Sequence, residues 1–135
     1  MSQKVEHIEG IGESYGAKLR AAGITTTRAL LKASADKKGR KALAAETGLD
    51  EGRLLKWANM ADLMRIKGIG KQFSELLEAA GVDTVKELRN RNAQNLAVKM
   101  AEVNEQKKLT RAVPAEKMVV GWVEQAKQLP PAITY

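Results

Sequence analysis

A 24-residue stretch of this chain is written twice. Residues 8–31 read IEGIGESYGAKLRAAGITTTRALL and residues 66–89 read IKGIGKQFSELLEAAGVDTVKELR, an offset of 58, and ten of the 24 positions are identical. The identities include Gly10/Gly68, Ile11/Ile69, Gly12/Gly70, Leu19/Leu77, Gly23/Gly81 and Thr26/Thr84, and Tyr15/Phe73 and Ile24/Val82 are conservative pairs. The likeness continues in Leu54-Leu55-Lys56-Trp57 and Val119-Val120-Gly121-Trp122, now at an offset of 65, so a seven-residue insertion in the second copy reconciles the two offsets. A duplication restricts the fold to what two similar units can build by packing together. One domain over 1–135 is expected, with repeat 1 about 5–64, repeat 2 about 65–129, and 130–135 as a tail.

The local signals are helical in both copies. Gly12 opens a helix that Gly23 closes, and Gly70 and Gly81 repeat the design, with glycine just past the helix end. Thr84 followed by Glu87 reads as a capping box. Gly48 ends a helix that begins near Lys37, and Asp50 can cap the long helix containing Trp57. Asn92 and Asn104 are expected N-caps, Pro114 fits the first turn of a last helix, and Pro130-Pro131 terminates it. Leu54, Leu55, Ala58, Ala61 and Leu63 give one apolar side at helical spacing. The expected fold class is all-α, with the duplicated units packed as one pseudo-two-fold compact domain.

Each repeat carries Gly-Ile-Gly immediately before a helix. The first turn of a helix has free backbone N–H groups and a partial positive charge. Glycines allow positive φ and leave no side chain to hold a ligand away, and the isoleucine between them points into the core. The result is a small anion cradle suited to a phosphate, which senses charge and geometry and does not read bases. The two copies differ in charge. Glu9 and Glu13 flank Gly10, Ile11 and Gly12, whereas Lys67 and Lys71 flank Gly68, Ile69 and Gly70, with Arg65 close by. The second hairpin is therefore the expected phosphate binder and the first the weaker site. Lys37, Lys38, Arg40 and Lys41 form the densest basic cluster and are a further candidate grip on phosphate.

IEGIGESYGAKLRAAGI and IKGIGKQFSELLEAAGV resemble helix-hairpin-helix motifs, and with their AAGI-T and AAGV-T extensions the chain is similar to a small uncharacterised bacterial helix-hairpin-helix family. That resemblance implies hairpin amides on the phosphates of DNA, with paired hairpins straddling the minor groove. A monovalent cation sits on the hairpin carbonyls of some relatives, and no other cofactor is implied. Some helix-hairpin-helix glycosylases use a lysine and an aspartate after the hairpin, but Lys71 comes early in its helix and no suitably placed acid accompanies it. The expected function is non-enzymatic, sequence-independent binding of duplex or branched DNA. The alternative is a protein-interaction or assembly module that keeps the fold without DNA contact.

The totals agree with a soluble, basic chain. The formal net charge is +7, shared as +4 over residues 1–58 and +3 over residues 59–135, which suits a polyanionic partner. No apolar run approaches the roughly 18 residues of a membrane span, no signal-peptide core is seen at the N-terminus, and there is no cysteine, so a cytoplasmic setting is expected. The single histidine, His7, has no clustered acids or cysteines in sequence, and no metal site is expected. Trp57, Trp122, Tyr15 and Phe73 read as core. Only seven residues precede Ile8, so the helix containing Trp122 is expected to return and pack against the first hairpin, either within one monomer or between chains of a domain-swapped dimer. Arg89, Arg91, Lys99, Lys107, Lys108 and Arg111 read as ordinary surface.

Overall fold

The structure, a computed structural model, describes residues 3–135. A short 3₁₀ helix (Val5–His7) leads into the first Gly-Ile-Gly turn, and eight α-helices follow among the described residues: α1 (Glu13–Ala21), α2 (Thr27–Ser34), α3 (Lys37–Thr47), α4 (Glu51–Leu63), α5 (Lys71–Ala79), α6 (Val85–Leu88), α7 (Ala93–Lys107) and α8 (Glu116–Gln128). Most of these boundaries have a local cause. Thr26, Asp36, Asp50, Thr84 and Asn92 each accept a backbone amide three residues on, which satisfies a donor that the helix itself cannot. Gly23 and Gly81, at φ of +85° and +94°, turn the chain out of α1 and α5.

The apolar faces assemble into two clusters. Ile8, Ile11, Leu19, Leu30, Leu54, Trp57 and Met60 belong to the first, with Tyr15 packed against it. Leu63, Ile66, Ile69, Leu76, Leu77, Leu88, Leu96, Met100 and Trp122 belong to the second, with Phe73 packed against it. Helix α4 serves both: Leu54, Trp57, Ala58, Met60 and Ala61, with Met64 just past its end, belong to the first cluster and Leu63 to the second.

Each tryptophan packs on the Gly-Ile-Gly turn of its own half. Trp57 lies 5.3 Å from Tyr15, ring centre to ring centre, and Trp122 lies 5.3 Å from Phe73. A Cβ on Gly10 would sit 3.4 Å from Trp57 Nε1, and one on Gly68 would sit 3.1 Å from Trp122 Nε1. The expectation that the Trp122 helix closes on the first hairpin is thus overturned: α8 packs on α7 and α6 and covers the second turn. The reason is the connection. Lys108 leaves α7 in the left-handed conformation, and buried Asn104 exchanges two hydrogen bonds with Thr110, reversing the chain so that α8 returns beside α7. Consecutive helices joined by a short link pack as neighbours. Asn104 is therefore a loop clamp inside α7 and not an N-cap, and Pro114 stands two residues before the start of α8.

The C-terminal residues are not a free tail. Arg40, which is 4% exposed, donates to Ser34 O, Ala35 O and Thr134 O. Thr134 N donates to Ala35 O at 2.8 Å, and Ile133 is buried in the first cluster. Arg65 Nη2 donates to Pro130 O at 2.7 Å. Residues 130–135 thus form a strap that leaves α8 in the second half and docks on α2 and α3 in the first. Arg89, expected at the surface, donates to the carbonyls of Ala126, Lys127 and Leu129 and closes the C-terminal end of α8.

Candidate functional site

Two of the helices start on glycine. Gly12 and Gly70 are the N-caps of α1 and α5, and neither offers a side-chain acceptor to the first turn. The free amides of these turns therefore face outwards, where an anion could take their hydrogen bonds. Within each turn the two glycines differ. Gly10 and Gly68 have φ of +93° and +98°, while Gly12 and Gly70 are extended, at −83° and −109°, so only the first of each pair needs glycine for its backbone. At Gly12 and Gly70 a Cβ would meet nothing within 4 Å. Those positions are open space into which a ligand can come close to the backbone. Ile11 and Ile69 are buried between them and hold the turns to the core.

An open groove of about 480 Å³ runs beside the second turn, lined by Gln3, Arg65 and the turn residues up to Gly70. Lys67 is exposed at its rim, but its backbone is already engaged: its N–H donates to Gln125 Oε1 at 2.9 Å and its carbonyl accepts from Gln125 Nε2 at 3.2 Å. Lys71 is exposed on the first turn of α5, and its ammonium lies 3.4 Å from Glu9 Oε2. This contact brings the two Gly-Ile-Gly turns together on one side of the molecule. Glu75 on α5 reports the same proximity, its carboxyl held above the usual range by partial burial and then by Glu9 and Glu78. The Glu9–Lys71 pair is half-exposed on both sides, so water and salt weaken it and a stronger anion can compete for the lysine.

Arg65 is half-buried and has two partners, Asp62 Oδ1 at 2.9 Å and Pro130 O. Asp62 is 1% exposed, and its second oxygen accepts from Val85 N at 2.8 Å. Burial still pushes its carboxyl above the usual aspartate range, against the pull of Val85 and Arg65. Of the basic cluster on α3, Lys37, Lys38 and Lys41 are exposed, whereas Arg40 is spent on carbonyls and cannot reach a ligand. The cluster and the second turn are tied to opposite ends of one strap. Pro130 and Thr134 are four residues apart, at most about 14 Å of extended chain.

Sequence reasoning missed Gln125, the strap and the buried role of Asp62, which reads in sequence only as one acid before the second hairpin that makes no catalytic pair. Gln125 carried no signal, since a polar residue on an amphipathic helix is ordinary. Asp62 did carry one: an acid among Met60, Ala61, Leu63 and Met64 has no solvent-facing reason to be there. Among the described residues, no group of three or more His, Cys, Asp or Glu side chains is placed to hold a metal ion. No helix among the described residues is long and apolar enough to cross a membrane.

No curated protein and no solved structure matches this chain. Over residues 9–129, which take in both Gly-Ile-Gly turns and all eight helices, it matches a family described as a domain of unknown function, and the protein belongs to that family, DUF4332.

Proposed function

We propose that this protein is a duplicated helix-hairpin-helix module of pseudo-two-fold form that binds nucleic-acid backbones without reading sequence and without catalysis. One observation carries the reading: α5 begins on an open glycine, its first-turn amides lack a side-chain cap, and Lys67 lines the groove that ends at Gly70, the residue before exposed Lys71. Duplex or branched DNA is the ligand that fits, because its phosphates match the amide cradle and its charge matches a chain of net charge +7. The first turn, with Glu9 and Glu13 beside it, is the weaker partner. Lys37, Lys38 and Lys41 extend the basic surface beyond the groove, and a chain without cysteine fits a cytoplasmic setting.

A protein-interaction role is the second reading. Val98 on α7 and Met118 and Val120 on α8 are exposed, on two helices that pack together. Apolar side chains on neighbouring helices favour a partner protein when they form one patch.

A salt titration with a short duplex and a branched DNA, comparing wild type with Lys67→Glu/Lys71→Glu, separates the two. Binding that weakens with salt, by about 0.9 in log K for each phosphate neutralised per unit of log salt, and that is lost in the double variant, supports the groove. Undiminished binding in the double variant removes the groove from the reading. No binding at low salt by wild type favours the protein partner.

A further inference from the structure

Arg65 stands where three parts of the molecule meet. It lines the groove beside Gly68 and Gly70. Its Nε donates to buried Asp62, and its Nη2 donates to Pro130 O, the first residue of the strap. A guanidinium carries its five N–H donors in a fixed plane, so two anchored directions set the orientation of the whole head. Asp62 cannot swing with it, because its other oxygen is held by Val85 N.

We propose that residues 130–135 are a latch that keeps the groove in a low-affinity state by retaining Arg65, and that release of the latch is coupled to binding of a nucleic-acid phosphate. This rests on the reading of the groove as a phosphate site. With the latch seated, Nη2 is directed at Pro130 O. With the latch lifted, Asp62 still holds Nε and keeps the head beside the groove, and the one Nη2 N–H given to Pro130 O is released to join the remaining Nη donors on a phosphate oxygen. The latch itself is lightly held. Its hydrogen bonds run through main-chain atoms of Pro130 and Thr134, and its one buried side chain is Ile133. Thr134 and Tyr135 are exposed. Segments with so few buried contacts open well before the rest of a fold. The coupling runs both ways: whatever lifts the latch tightens the hold on phosphate, and phosphate in the groove shifts the latch towards its open state.

The test uses the full-length chain and two latch variants. Ile133→Glu expels the anchor from the first cluster, and Thr134→Pro removes the amide given to Ala35 O and restrains the backbone at Ile133 before it. Each is compared with wild type, alone and combined with Arg65→Gln, in a salt titration with a short DNA duplex, after cooperative melting has shown that it folds. The expected result is about tenfold tighter binding, the scale of one added charge-assisted hydrogen bond. The salt slope should steepen by about 0.9, and the gain should vanish with Arg65→Gln. In the wild type, saturating duplex should speed hydrogen exchange at the Thr134 amide, and this measurement decides alone if both latch variants unfold. Folded latch variants that bind as wild type does, or Thr134 exchange unmoved by duplex, overturn the latch and leave the phosphate groove standing. Absence of duplex binding in wild type and variants alike overturns both.

Discussion

Gly68 and Gly70 stand two residues apart and meet different demands. Gly68 has a left-handed φ, and a Cβ there would press on Trp122 Nε1. Gly68→Ala should cost about 2 kcal/mol, from the backbone penalty and the contact together. Gly70 is extended and open, so Gly70→Ala should cost less than about 1 kcal/mol, the difference between good and poor N-caps. Its methyl would, however, occupy the space in front of the first-turn amides. Urea titrations of the two variants check the order; equal losses would mean that the turn is not shaped by the positive φ. Asp62 makes a different statement at the same scale. Its carboxyl is held above its ordinary value of 3.8 by burial. Between that value and the raised one, the folded protein keeps a proton that the unfolded chain has lost. Its contribution to stability is therefore greatest below the ordinary value and declines as the pH rises through the folded one. In paired urea titrations, the stability of wild type minus that of Asp62→Asn should fall as the pH rises above the ordinary value of 3.8, the other carboxylates cancelling in the difference. A difference that stays level or grows with pH would refute this account of Asp62.

At the scale of elements, each tryptophan belongs to one cluster and not to the other. Trp122→Ala removes a large, 3%-exposed side chain from the second cluster and should cost about 3–5 kcal/mol. The loss should be local, with amide protection falling first in α5–α8 while α1–α4 keep theirs. A uniform loss of protection would show that the two clusters melt as one. Helices and several caps were legible in the sequence because their causes are near neighbours: Asp50, Thr84 and Asn92 each act three residues away, as do Thr26 and Asp36, two caps that sequence reasoning missed. Asn104 misled for the same reason. The bonds it makes span six residues to Thr110 and close a loop at the far end of its own helix. The site was legible as far as its glycines and lysines, which the repeat picks out. The roles of Arg40 and Arg65 were not, because the strap carbonyls they hold lie 94 and 65 residues away and nothing periodic marks them.

At the scale of the whole molecule, two clusters are joined by α4, by the strap and by the pair of Glu9 with Lys71. Truncations should separate these links. Removing residues 130–135 takes away the burial of Ile133, worth roughly 1.5–3 kcal/mol, and should loosen α2 and α3 while the second half stays folded. Removing residues 114–135 also strips Val119, Trp122, Val123 and Ala126 from the second cluster and should unfold that half. Amide exchange resolved by helix distinguishes the two outcomes, and a first half unaffected by the shorter truncation would deny the strap its structural role. Helix α4 has a further consequence. Trp57 grips the first turn and Leu63, six residues on, feeds the second, so the number of residues between them fixes the angular phase of one half against the other. One residue added there would rotate everything after it by about 100° and advance it by about 1.5 Å, carrying Lys71 away from Glu9 and turning the α4 residues beyond the insertion out of register with the first cluster. If the proposed function holds, the spacing along α4 is a gauge for a rod-like partner that touches both turns at once, and chains differing by a single residue in this helix would be matched to differently pitched partners.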